Sequence, residues 1–310
     1  MRIVVLGAGG VGGYFGGRLA HAGTDVTFFA RGATLEALRT RGLRVDSIKG
    51  DIEIAKVNAT DNASSIGKAD AVLVCVKSWQ VRDACASIRD AVGEETIVVP
   101  LENGMEAPDD IAAALAPQNT AGGLCGLVSF VVEPGHIRHI SVDPFIAFGE
   151  LDNRRSARAE RLLETLTAAG ITSFIPPDIQ RAMWMKFLFI ATLSGIGSIT
   201  RVPAGVWRAM TETRALAEKA LREVMSVAAA RNVTLPDDAF DTVMQRIDAL
   251  SPDSTASLQR DVLEGKPSEL DAQLGAVVRL GKNTGVATPL FEFMFQALLP
   301  QERKARGEIV

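Results

Sequence analysis

"VVLGAGGVGGYFGGRLA", residues 4–20, decides how the first half of the chain folds. It holds Gly7-x-Gly9-x-x-Gly12, with Gly16 four residues on, between a short aliphatic run and a helical pattern. Gly7 permits a tight turn, Gly9 lets a pyrophosphate approach the backbone, and Gly12 allows close packing of helix on strand. The helix start offers unpaired N–H groups and a positive dipole end to phosphates. Gly7, Ala8, Gly9, Gly10, Val11 and Gly12 are therefore the expected cofactor-binding turn. A lone GxGxxG says little. Preceded by a strand, opening a helix and followed by a second strand at the right distance, it becomes specific.

The second strand, "DVTFFA" (25–30), sharpens the cofactor. An Asp or Glu about 20 residues beyond the glycines usually accepts hydrogen bonds from the adenosine ribose. Here Ala30 and Arg31 end the strand, and Asp25 comes too early. A guanidinium cannot accept a hydrogen bond from a hydroxyl, but it forms a fork with a phosphate. The expected cofactor is NADP(H).

Working outward, "AVLVCV" (71–76) and "TIVVP" (96–100) are further aliphatic runs, each followed by loop residues and a helical pattern. That rhythm predicts βαβ units and a mostly parallel sheet. "GHIRHISV" (135–142) and "FIAFGE" (145–150) read as two later strands, an antiparallel addition. The pattern changes at "FIPPDIQ" (174–180), where Pro176 and Pro177 close a strand and Asp178 can cap a helix. Helices are expected over about 178–194, 204–231, 236–249 and 268–284. Two domains are expected, a Rossmann-type dinucleotide-binding domain over 1–177 and a helical substrate domain over 178–310.

The composition, 47% apolar with 5% aromatic residues, is that of a soluble α/β protein. A net charge of −4 gives no global attraction for nucleic acid or an anionic membrane. No apolar run approaches the roughly 20 residues that span a bilayer, and the N-terminal "MRIVVLGAGG" is too short in its apolar part for a signal peptide. Cys75, Cys85 and Cys125 are few, odd in number and unpatterned, which suits a reducing cytoplasm. His136 and His139 point to opposite faces of a strand and His21 lies on the glycine-rich helix, so no metal site is expected. Apolar helices in the second half could bury against the first domain or a second subunit, which leaves room for a homodimer.

An acid catalyst must then come from elsewhere, and lysine is the natural candidate. Lys77 and Asn103 follow strands, at the sheet edge where open α/β folds bind ligands. The Asn103 amide carries both a donor and an acceptor, suited to a sugar hydroxyl or a ketone oxygen. Lys186 is the one charge between Arg181 and Arg201 in "RAMWMKFLFIATLSGIGSITRVPAG" (181–205), which begins as a strongly apolar helix, with Ile190 and Ser194 along its face. A lone lysine in such a helix often snorkels to the surface; this one is expected to face a cleft as a proton donor. Ser257, Asp261 and Glu269 are the polar anchors of residues 254–281, although Glu269 also suits plain helix-start chemistry.

Together, the Gly7-Gly9-Gly12 turn, Arg31, "VKSWQ", "ENGM", "WMK", "SLQRD" and "GKPSELD" make the chain resemble the ketopantoate reductase family over essentially its whole length. No single element is specific; their order is. The resemblance implies a Rossmann-type NADP-binding domain joined to an all-α domain similar to that of 6-phosphogluconate dehydrogenase. It implies reduction of 2-dehydropantoate to (R)-pantoate with NADPH, on the way to pantothenate. By resemblance Lys186 is the general acid, Glu269 an acid that organises the site and touches the cofactor, and Ser257 a substrate-binding hydroxyl. Asn103 and Lys77 match groups that touch cofactor and substrate, and Val131 a cofactor contact. Ile190 and Ser194 fall at substrate-side positions where the family carries asparagines, as does Ala204. Losing three amides weakens the polar grip on a hydroxylated keto acid. Two alternatives therefore stand beside 2-dehydropantoate: the same chemistry on a more apolar 2-keto acid, and a non-catalytic NADP-binding sensor. A sensor would not need Lys186 and Glu269.

Overall fold

The computed structural model describes residues Met1–Val310. Its strands are β1 (Arg2–Leu6), β2 (Asp25–Phe29), β3 (Leu43–Ser47), β4 (Ile52–Ile54), β5 (Asn58–Thr60), β6 (Ala69–Val74), β7 (Val92–Pro100), β8 (Ala121–Glu133), β9 (His136–Glu150) and β10 (Thr172–Phe174). Its helices are α1 (Gly10–His21), α2 (Gly32–Arg41), α3 (Val81–Ser87), α4 (Ala107–Ala114), α5 (Ala157–Ala168) and α6 (Ile179–Thr200), then α7 (Ala204–Ala209), α8 (Thr211–Ala230), α9 (Ala239–Asp248), α10 (Ser257–Leu263), α11 (Ala276–Thr284) and α12 (Pro289–Ala305). The chain divides into two compact units: Met1–Glu102 with Ala107–Ile179, and Asn103–Glu106 with Gln180–Val310.

The first unit holds two sheets. One is five-stranded in the order β5-β2-β1-β6-β7, and every neighbouring pair is parallel. β1 and β6 are central, and their Ile3–Leu6 and Ala71–Val74 are buried, as unbroken aliphatic runs covered on both faces should be. The other sheet runs β10-β9-β3-β4, with β8 paired to β9. Here the sequence reading needs correcting. The two runs read as separate late strands are one strand, β9, continuous through Val142 and Pro144 with register shifts against β8. It is antiparallel to β8 but parallel to β3 and β10, so the addition is mixed. A buried fork closes this unit: Arg158 donates to both Glu150 carboxylate oxygens at 2.7 Å, and the Ser156 hydroxyl adds a third bond at 2.6 Å.

The second unit is helical around one apolar core that includes Trp184, Phe187, Trp207, Leu274 and Met294. α6 is apolar over most of its surface, as a helix in the core of a bundle should be. It runs to Thr200, not to residue 194, and by length and composition it could cross a membrane. This corrects the expectation that no apolar run approaches a span; most of its apolar window is buried inside the protein, as in a core helix. The predicted 204–231 helix breaks at Met210 into α7 and α8. The predicted 268–284 helix is a five-residue π-helical turn, Asp271–Gly275, leading into α11. α10 and α12 were not anticipated.

Candidate functional site

The glycine turn is built as its residues require. Gly7 has φ +96°, a conformation that L side chains rarely adopt. A Cβ on Gly12 would lie 1.9 Å from the Gly7 carbonyl oxygen, whereas one on Gly9 would meet nothing within 4 Å. The loop is thus tight where helix meets strand and open where a pyrophosphate would approach. No side chain caps α1 and no acid occupies its first turn, which leaves the helix start to an anion. A Cβ on Gly10 would sit 2.9 Å from the Ser129 hydroxyl oxygen, so β8 passes along the turn. Val131, two residues further along β8, is exposed.

Arg31 follows β2 as the residue before α2, exposed and without an ion pair, its guanidinium 5.9 Å from the centre of the Phe29 ring. Lys77 leaves β6 and opens a single 3₁₀ turn, with its ammonium 5.8 Å from the Trp79 ring centre. These two cations and the glycine turn all sit at the C-terminal ends of the parallel strands. Cys85 is buried, and burial pushes its thiol up to about 12, so it is no nucleophile at neutral pH. The histidines go to separate partners: His136 to Asp46 at 2.8 Å, and His139 to the Ser47 hydroxyl at 2.9 Å. No cluster of His, Cys, Asp or Glu is grouped as a metal site would be.

The other candidates are carried by the helical unit. Asn103 belongs there, in a loop that strand patterning assigns to the first domain. Gly104, at φ +121°, packs so closely on the π-turn that a Cβ would lie 2.8 Å from the Ala272 carbonyl oxygen. Met105 packs on the helical core, and Glu106 receives a fork from Arg279 at 2.6 and 3.2 Å. Arg279 also bonds Asp271 at 2.6 Å, and hydrogen bonding to Glu106 holds its pKa above the usual arginine value. A two-carboxylate latch therefore fixes the Asn103 loop on the π-turn.

Glu269 enters that turn and is 8% exposed. The residue before it is clamped: Glu302, on α12, accepts from the Ser268 amide at 3.0 and 3.1 Å and from the Ser268 hydroxyl. Arg306 donates to Glu302 at 2.7 Å and to the Ser268 carbonyl at 2.9 Å. Lys186 is half-buried on α6, as is Ile190 one turn on, while Ser194 is fully buried with no partner for its hydroxyl. Ala204 is also fully buried. Gly197 continues the Lys186 face, and a Cβ there would lie 2.5 Å from the Gln259 amide oxygen. That face meets α10, whose first residue is the half-buried Ser257. Sequence reading missed Gln273, a buried amide one turn beyond Glu269; its only signal is a polar residue among core positions in "LDAQLGAVV".

A family model described as ketopantoate reductase PanE/ApbA matches residues 3–153, and its C-terminal counterpart matches residues 178–302. The chain belongs to the ketopantoate reductase family. It is 30% identical to a 2-dehydropantoate 2-reductase of Mesorhizobium japonicum, over 94% of this chain and 95% of that protein. It is 28% identical to an oxidoreductase of Bacillus subtilis named as uncharacterized, over 96% of this chain and 98% of that protein. The crystal structure of 2-dehydropantoate 2-reductase from Geobacter metallireducens superposes with a TM-score of 0.89 at 30% identity, covering 97% of this chain and 99% of that one. A D-mandelate dehydrogenase solved with NADH and anilino(oxo)acetate shares the ketopantoate reductase fold at TM-score 0.89 and 21% identity, over 99% of this chain and 100% of that one; the likeness bears on fold alone. As a ketopantoate reductase family member, the chain is an oxidoreductase that works with NAD(P)H on small keto acids.

Proposed function

We propose that this chain reduces a 2-keto acid with NADPH, and that 2-dehydropantoate, giving (R)-pantoate for pantothenate synthesis, is its first substrate candidate. The observation that carries the reading is the helical unit's set of Asn103, Lys186, Ser257 and Glu269, with Asn103 latched to the turn that Glu269 enters. When bound, the reduced nicotinamide supplies the hydride for the keto carbon. Lys186 gives its proton to the keto oxygen as negative charge develops there, and stabilises that charge beforehand. Glu269 orients the reacting groups, the Ser257 hydroxyl bonds the substrate, and the Asn103 amide pairs with a keto or ribose oxygen. Gly7–Gly12 hold the pyrophosphate, with Lys77 and Val131 beside the cofactor. The unpaired Arg31 supports the 2′-phosphate of NADPH. A second reading, the same chemistry on a more apolar 2-keto acid, is favoured by Ile190 beside Lys186.

A panel of 2-keto acids assayed with NADPH and with NADH tests cofactor, reaction and substrate together. One charge-assisted fork contributes about 1.5–3 kcal/mol, so NADPH should be preferred by at least about tenfold. Arg31→Ala should raise the NADPH Michaelis constant and leave NADH almost unchanged. Equal weakening of both cofactors defeats the phosphate assignment, and no turnover of any keto acid defeats the reading.

A further inference from the structure

Gln273 is fully buried, and neither its amide nitrogen nor its amide oxygen has a partner in the protein. A buried amide left unpaired at both ends is costly, and such groups are rare in native proteins. This one lies on the face of Glu269: its backbone N–H bonds the Glu269 carbonyl at 3.0 Å, one turn back. It also lies within the π-turn, a local irregularity that recurs at functional sites. Its neighbour Leu274 marks where this turn crosses α6, with a methyl carbon 3.8 Å from where a Gly195 Cβ would stand. Ser194, next to Gly195, is one of three α6 hydroxyls, with Thr192 and Ser198, that are also buried and unpaired. The Asn103 loop packs on Ala272, the residue before Gln273.

We propose that Gln273 is a specificity-determining residue that binds a hydroxyl group on the substrate, beyond its keto acid end. The inference rests on the keto acid reading above. An amide presents one acceptor and a pair of donors on adjacent atoms. A carboxylate could satisfy only the donors and an ammonium only the acceptor. A hydroxyl both donates and accepts, so it can pair both ends of the amide. Gln273 thus supplies from the π-turn a polar grip that Ile190, on α6, does not offer. A site built to bond a hydroxyl strongly rejects the analogue lacking it, because the analogue leaves the amide unpaired.

The test is a matched substrate pair: 2-dehydropantoate and trimethylpyruvate, which has the same carbon skeleton without the hydroxyl. kcat/KM is measured for both with NADPH in the wild type, Gln273→Leu and Gln273→Met, alongside the melting temperature of each. The wild type should favour 2-dehydropantoate by at least about tenfold. Both variants should bring the ratio to within about twofold of unity, chiefly through a higher KM for 2-dehydropantoate. Their melting temperatures should not fall, because an apolar chain replaces an unpaired amide. A wild type without the preference, or variants that retain it, overturns the proposal. So does loss of folding in both variants, which would show the amide to be paired within the fold. A wild type that reduces neither compound nor any other 2-keto acid refutes the keto acid reading itself, and this proposal with it.

Discussion

Glu302→Ala should unsettle the helical unit and, through it, Glu269. The Glu302 carboxylate is 5% exposed and gathers the Ser268 amide, the Ser268 hydroxyl and the Arg306 guanidinium. Truncation leaves a fully buried Ser268 amide without its acceptor and takes one carboxylate partner from the Arg306 guanidinium. Hydrogen bonds to a charged group contribute about 1.5–3 kcal/mol each, and these share one acceptor, so they do not add. Breaking a buried pair by removing one partner costs about 3–5 kcal/mol, which sets the scale. At roughly 2–4 °C per kcal/mol for a protein of this size, the melting temperature should fall by on the order of 10 °C. Calorimetry measures the loss. Glu302→Gln keeps an acceptor for the Ser268 amide and should recover part of it. Because Ser268 immediately precedes Glu269, kcat should fall in the alanine variant. A melting temperature within about 3 °C of wild type would refute the clamp as a structural element.

Lys186→Ala should lower turnover by about 10² or more without loss of folding or NADPH binding; turnover near wild type in the purified variant would remove Lys186 as the acid. Ile190→Asn adds an amide beside Lys186 and should lower the KM for 2-dehydropantoate by about threefold or more, equivalent to one modest hydrogen bond; an unchanged KM would place Ile190 away from the substrate. Glu150 gives a pH signature. Burial opposes its ionisation, but hydrogen bonds from Arg158 and Ser156 outweigh burial and hold its carboxyl below the ordinary value near 4.5. A depressed folded-state pKa means that the pair's stabilisation is complete above about pH 4.5 and is lost as pH falls through the lower folded value. Glu150→Gln should therefore be less stable at pH 7 and should flatten the acid limb of the stability curve; parallel acid limbs would contradict the assignment.

The glycine turn was legible because its chemistry is local: Gly7, Gly9 and Gly12 each answer a backbone demand within a few residues. β1, β2, β6 and β7 were legible from short β-branched, aliphatic or aromatic runs within them, "IVVL", "VTFF", "AVLV" and "TIVVP". β3, β4 and β5, "LRVDS", "IEI" and "NAT", are too short or too polar to show a period. β8 hides behind the glycines of "AGGLCGLVSFVVE". The π-turn could not be read at all, since "LDAQLGAVV" keeps ordinary helical periodicity while the backbone takes in an extra residue. The residue types of the candidate site were visible one by one. What brings Asn103 to the helices was not, because Arg279 and Glu106 stand 173 residues apart.

That latch also bears on how relatives of this protein can recombine. A crossover at the visible seam near residue 179 would hand the Asn103–Glu106 loop to one parent and its docking site, Ala272 with Asp271 and Arg279, to the other. Chimeras cut there should work only where both parents carry compatible versions of the latch, so the loop and the π-turn are inherited as one module despite lying on opposite sides of the seam.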